Sequence, residues 1–156
     1  MNVKKNLGLI AHDFKKKELL EWVEYNWEIL SHHKLICTGT SGKLVEEALL
    51  NKMLSSKKEI KKLNITKLKS GPLGGDQQMG SLISNGGIDI LIFFWDPMST
   101  QPHDVDVKAL LRLCMLYNIP TCCNKSTADF VISSSLFASN YTQTITDYSD
   151  YLNRKI

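Results

Sequence analysis

The sequence predicts an α/β protein: a three-layer α/β/α sandwich around a parallel sheet of about five main strands. Short apolar, β-branched runs recur along the 156 residues. Amphipathic helical patterns separate them, which favours a parallel sheet covered on both faces. No internal repeat or low-complexity linker divides the chain, and its length suits one domain spanning 1–156.

The strands read in order as LGLIA (7–11), KLICT (34–38), NITKL (64–68), IDILIFF (88–94) and IPTCC (119–123), each a buried strand by composition. TQTI (142–145) reads as a short extra strand. Residues 15–31 place Leu19, Leu20, Val23, Trp27 and Leu30 at helical spacing. Leu44, Val45, Ala48, Leu49 and Met53 do the same over 42–54, and Val107, Leu110, Leu111, Cys114 and Leu116 over 105–117. A helix is expected from about 77 to 85, with weaker ones at 126–132 and 147–155. The span 54–63 reads as either a helix extension or a loop.

Composition narrows the function. Apolar content is 43% and charged content 22%, ordinary for a soluble globular chain. The longest apolar run, IDILIFFW, is strand-sized and interrupted by Asp89, and the N-terminal apolar stretch is too short for a signal peptide. No membrane association and a cytoplasmic location are therefore expected. Cys37, Cys114, Cys122 and Cys123 show no CxxC spacing and read as free, largely buried thiols. Residues 52–69 hold seven lysines and one glutamate but no aromatic residue, which reads as a solvated face rather than a nucleic-acid platform. No nucleic-acid partner is expected.

In open α/β sheets ligands sit beyond the carboxyl ends of the strands. Here those ends run into AHD with His12 and Asp13, TGTSG (38–42), SGPLGGDQQ (70–78), WDPMSTQPHDVD (95–106) and NKSTAD (124–129). TGTSG has the composition of an anion receptor: Gly39 and Gly42 permit close approach, Thr38, Thr40 and Ser41 offer hydroxyls, and a helix N-terminus follows. Lys16 adds a charge nearby. An ordinary helix cap by Thr40 or Ser41 is an equal reading. Neither a Walker motif nor GxGxxG is present, so a dinucleotide is not expected. Asp76, flanked by Gly74 and Gly75, reads either as a base reaching a ligand or as a helix N-cap. His103, Asp104 and Asp106 lack HxH, HxxxH and HExxH spacing, so no metal site is expected. Asp96 in WDP also suits a simple turn.

Taken together, AHD, TGTSG, SGPLGGDQQMG, LIFFWDP, PHDVDVKALLRL and NIPTCCNKSTADF resemble the methylglyoxal synthase family over nearly the whole chain. The resemblance implies strand order 3-2-1-4-5. It also implies a lyase that converts dihydroxyacetone phosphate to methylglyoxal and inorganic phosphate, with no metal and no organic cofactor. It implies that Asp76 is the base, that His103 stabilises the enediolate, and that Asp13, Asp96 and Asp106 are acids around the site. His12, Lys16, Thr38, Gly39, Thr40, Ser41, Ser70 and Gly71 would contact substrate and its phosphate. Arg154 resembles an arginine that reaches a neighbouring subunit's phosphate site in an allosteric homohexamer inhibited by phosphate. Three departures stand out: a longer, lysine-rich stretch between Gly42 and Ser70, Val105 in place of a proline, and Ser41 in place of a threonine.

Two other classes are readable from the same residues. A regulatory module of this fold, as in carbamoyl phosphate synthetase, needs a TGT-like loop but not GGDQQ or PHDxD. The cyclohydrolase domain of purine synthesis uses the scaffold beside a second domain.

Overall fold

A computed structural model describes residues 1–56, 62–99 and 103–154. The strands are β1 (Asn6–Ala11), β2 (Lys34–Cys37), β3 (Asn64–Lys67), β4 (Ile90–Phe94) and β5 (Thr121–Cys122). The helices are α1 (Lys16–Tyr25), α2 (Trp27–Leu30), α3 (Gly39–Ser55), α4 (Gly75–Ser84), α5 (Asp104–Leu116), α6 (Lys125–Ser133) and α7 (Ser149–Leu152). All strands pair in parallel in the order β3-β2-β1-β4-β5.

Period-two alternation sends successive strand residues to opposite faces. Leu7, Leu9, Ala11, Leu35, Ile90, Ile92 and Phe94 face α1, α2, α3 and α6 in one buried cluster. Ile10, Ile36, Leu91 and Phe93 face α4 and α5 in the other. Trp22 is the bulkiest fully buried side chain, and its indole N–H donates to Asp129 Oδ1 at 2.9 Å, tying α1 to α6.

Some elements differ from the sequence reading. The helical pattern over 15–31 is broken at Asn26, whose side-chain amide donates to the Trp22 carbonyl at 2.9 Å. β3 is an edge strand with only Ile65 half-buried, not a buried strand, because nothing pairs beyond it among the described residues. Residues 142–145 form no strand; Thr144 and Gln143 instead bond to Asn118 and Tyr117 at the end of α5. Part of the lysine-rich segment, 57–61, lies outside the described residues, as do 100–102 and 155–156. Helix α3 continues to Ser55.

Strand order reverses between β1 and β4. Ala11 pairs with Phe94, so His12 and Trp95 leave the sheet side by side. Cys37 pairs with Leu9 on one side and Lys67 on the other, bringing Thr38 and Lys69 out next to them. The polar loops after β1, β2, β3 and β4 therefore meet at one edge.

Candidate active site

The cleft at this edge has a volume of about 90 Å³. One wall is the start of α3. Thr38 precedes the helix, and its N–H goes to the Leu9 carbonyl at 3.4 Å. The Gly39 N–H goes to the Lys69 carbonyl at 3.0 Å. A helix leaves its first four amides without intrahelical partners. Those of Thr40 and Ser41 thus lie at the positive end of the helix dipole without an intrahelical partner. The Thr38 side chain makes no cap bond, and the Thr38 and Ser41 residues are buried in the cleft wall. Lys16, the first residue of α1, donates from Nζ to Thr40 Oγ1 and Asp13 Oδ1, each at 2.6 Å. It brings a positive charge to the same wall.

The opposite wall carries Asp76. A tight turn over Gly71–Leu73 leads to Gly74, whose φ of 96° is left-handed. Gly75 opens α4 and is pressed onto Lys69: a Cβ there would lie 2.1 Å from the Lys69 carbonyl oxygen. Asp76 comes next, inside the first turn, so it is not the N-cap residue. Its side chain is 3% exposed, and Oδ2 has no hydrogen-bond partner among the described residues. Burial pushes this carboxyl above its ordinary value; His103 opposes the shift and Asp106 adds to it.

His103 immediately precedes α5 and places Nε2 3.6 Å from Asp76 Oδ2, beyond a good hydrogen bond. Gly71 lies against both groups. A Cβ on it would stand 3.0 Å from Asp76 Oδ2 and 3.0 Å from His103 Nε2.

His12 is buried, edge-on to Phe93 with ring centroids 5.1 Å apart and to His103 with centroids 5.9 Å apart. Its Nδ1 accepts the Asp96 N–H at 3.3 Å, so the neutral ring carries its proton on Nε2. Nε2 is buried and unpartnered among the described residues. Burial, then the neighbouring His103, holds this imidazole below its ordinary pKa.

A family model described as an MGS-like domain matches residues 18–123. Over the full length of both chains the protein is 54% identical to the methylglyoxal synthase of Maridesulfovibrio salexigens and 48% identical to that of Coxiella burnetii. Among solved structures, the methylglyoxal synthase of Elizabethkingia anophelis superimposes with a TM-score of 0.87 at 47% identity, covering 100% of this chain and 95% of that one. This chain belongs to the methylglyoxal synthase family.

For a methylglyoxal synthase family member, the residues expected at the site divide into two groups. His12, Asp13, Lys16, Thr38, Gly39, Thr40, Ser41, Ser70, Gly71, Asp76 and His103 line the cleft together. Asp96, Asp106 and Arg154 do not line it. The Asp96 carboxylate turns back on its own loop, accepting from Ser99 Oγ at 2.5 Å and the Met98 N–H at 3.0 Å, and these bonds hold it below the usual carboxylate range. Asp106 lines a separate cavity of about 270 Å³ between α4 and α5, which reaches Asp76 from behind. Arg154 lies over the Tyr151 ring, 4.1 Å from its centre. Asp13 is largely exposed; its hydrogen bond to Lys16 lowers its pKa. Ile10, Ala11, Pro72 and Phe93 also line the cleft without having been singled out in the sequence. Ile10 and Phe93 are core residues by pattern, and no local signal marks their exposed edge as a cleft floor. Among the described residues, no group of three or more His, Cys, Asp or Glu side chains is placed to hold a metal ion. No described helix is long and apolar enough to cross a membrane.

Proposed function

We propose that the protein is a carbon–oxygen lyase converting dihydroxyacetone phosphate to methylglyoxal and inorganic phosphate. The observation that carries this reading is the buried carboxylate of Asp76, whose Oδ2 makes no hydrogen bond among the described residues, facing the N-terminus of α3 across a small cleft. The substrate phosphate rests on the Thr40 and Ser41 amides and hydroxyls, Ser70, and Lys16. Asp76 takes a proton from the hydroxymethyl carbon beside the carbonyl. His103 and His12 donate hydrogen bonds to the enediolate oxygens. The electrons of the enediolate then expel phosphate by breaking its carbon–oxygen bond. As the aldehyde forms, the hydroxyl proton passes to the departing phosphate, which leaves as hydrogen phosphate, and return of the proton held by Asp76 to the new methylene carbon gives methylglyoxal.

The energetics favour this arrangement. A free aspartate, with a pKa of roughly 3.9, is a weak base for such a carbon acid. Burial strengthens it, and fixed donors lower the energy of the charge that develops. Elimination rather than reprotonation requires the scissile carbon–oxygen bond perpendicular to the enediolate plane. Holding the phosphate on α3, away from the Asp76 wall, supplies that control. A purely regulatory module would use the α3 terminus but has no need for a buried base opposite it.

We further propose that phosphate inhibits by occupying the α3 terminus, that the protein works in the cytoplasm as a homohexamer, and that Arg154 acts toward a neighbouring subunit. Asp96 and Asp106 act from outside the cleft: Asp96 through its amide to His12, and Asp106 through its charge on Asp76. Asp13 orients Lys16.

The test is to incubate chelator-treated protein with dihydroxyacetone phosphate and follow methylglyoxal and phosphate together. Equal release of both is expected, with Asp76→Asn slower by about 10²–10⁴-fold while still binding phosphate. Phosphate binding without turnover by the unaltered protein would overturn the reading.

A further inference from the structure

The backbone of Lys69 stands between the two walls of the cleft. Its N–H donates to Gln78 Oε1 on α4 at 2.8 Å. Its carbonyl accepts the Gly39 N–H at the start of α3 at 3.0 Å. Gly75 is pressed onto that same carbonyl, and the Gly75 N–H donates to the next carbonyl, that of Ser70, at 2.9 Å. Each of these bonds pins one of the two planar peptide units that meet at the Lys69 Cα. Gln78, Lys69 and Gly39 are therefore linked in series, from the helix that carries Asp76 to the helix that receives the phosphate. The Gln78 side chain is exposed, so burial does not account for its bond to a specific amide.

We propose that Gln78 is a positioning residue, which sets the separation between the Asp76 carboxylate and the phosphate cradle on α3 by holding the Lys69 amide. The role rests on the lyase reading above. Proton transfer is steep in distance, and a misplacement of about 1 Å can cost on the order of 10²-fold in rate. The cradle itself keeps the Gly39–Lys69 bond, Lys16 and the α3 dipole when Gln78 is lost. Its affinity for free phosphate is thus separable from turnover.

The variants are Gln78→Leu, which removes the acceptor at similar size, and Gln78→Glu, which keeps an oxygen able to accept the same N–H. For Gln78→Leu we expect kcat to fall about tenfold or more, with the inhibition constant for inorganic phosphate changing by less than about twofold. Hydrogen exchange of the Lys69 amide should speed up. Gln78→Glu should restore both kcat and amide protection. Unchanged kcat in Gln78→Leu would overturn the proposal. So would a loss of phosphate affinity and melting temperature in parallel with kcat, which marks a general structural role, or a failure of Gln78→Glu to rescue. The wild-type rate tests the assigned reaction itself, and the ratio of variant to wild type tests Gln78. An inactive wild type removes the role even if the Lys69 exchange responds.

Discussion

Asp76 Oδ2 and His103 Nε2 face each other at 3.6 Å, and Gly71 lies where a side chain would wedge between them. Gly71→Ala places a methyl group 3.0 Å from each of these atoms. Both are anchored at helix starts and neither is the free end of a long side chain. We expect kcat to drop at least about tenfold from misplacement of the pair, with the fold retained. Steady-state kinetics beside a circular dichroism spectrum checks this. Wild-type kcat in the variant means that the two groups do not need their present spacing.

Lys16 bridges Asp13 and Thr40 at the phosphate wall. Lys16→Met keeps the stem and removes the charge. A hydrogen bond to a charged group contributes about 1.5–3 kcal/mol, so kcat/KM should fall by roughly 10–100-fold. Phosphate inhibition should weaken in step. Inhibition as strong as in the wild type would remove Lys16 from the cradle.

His12 accepts the Asp96 N–H on Nδ1 and is held below its ordinary pKa by burial and by His103. The groups facing it are His103, Asp76 and Asp96, and the two acids only partly offset the depression. The ring should be neutral with the proton on Nε2 throughout the working range. Nitrogen-15 NMR of the free protein near neutral pH reads this directly. An imidazolium, or a proton on Nδ1, would contradict the assignment.

Far from the cleft, His33 is buried against Phe137 and accepts the Lys5 N–H on Nδ1 at 3.1 Å. Burial, then Lys5, lowers its pKa from 6.5 to about 4. The unfolded chain therefore binds a proton here more readily than the folded one. Its contribution is complete above pH 6.5 and is lost as pH falls through about 4. The loss over that window is on the order of 3 kcal/mol. Denaturant titrations should show that His33→Asn, which can still accept from Lys5, flattens this part of the stability profile. An unaltered slope would mean that His33 does not drive it.

Much of this was legible in the chain itself. Five strands and their alternation with helices follow from local pattern, because β-branched runs and helical spacing report burial directly. TGTSG and GGDQQ were legible as site segments because glycine beside hydroxyl or acid residues suits close backbone approach. The division of TGTSG between cap and anion receptor was not legible. The structure adds that Thr38 and Gly39 give their amides to Leu9 and Lys69 and that the Thr38 side chain makes no cap bond. Asp96 read as a site acid on its loop; in the fold its carboxylate caps the 96–99 turn, and only its amide reaches His12.

The sequence by itself determined the layers, the parallel sheet and the family. Those depend on patterns repeated over many residues, so no single contact decides them. Only the tertiary structure decided that β3 lies at an exposed edge, that Asp76 is buried with an Oδ2 that makes no hydrogen bond among the described residues, and that the backbone of Lys69 joins the two walls of the cleft. Each of these is a relation between residues far apart in the chain. Strand register and helix packing set such distances to fractions of an ångström, and no local run of residues encodes them.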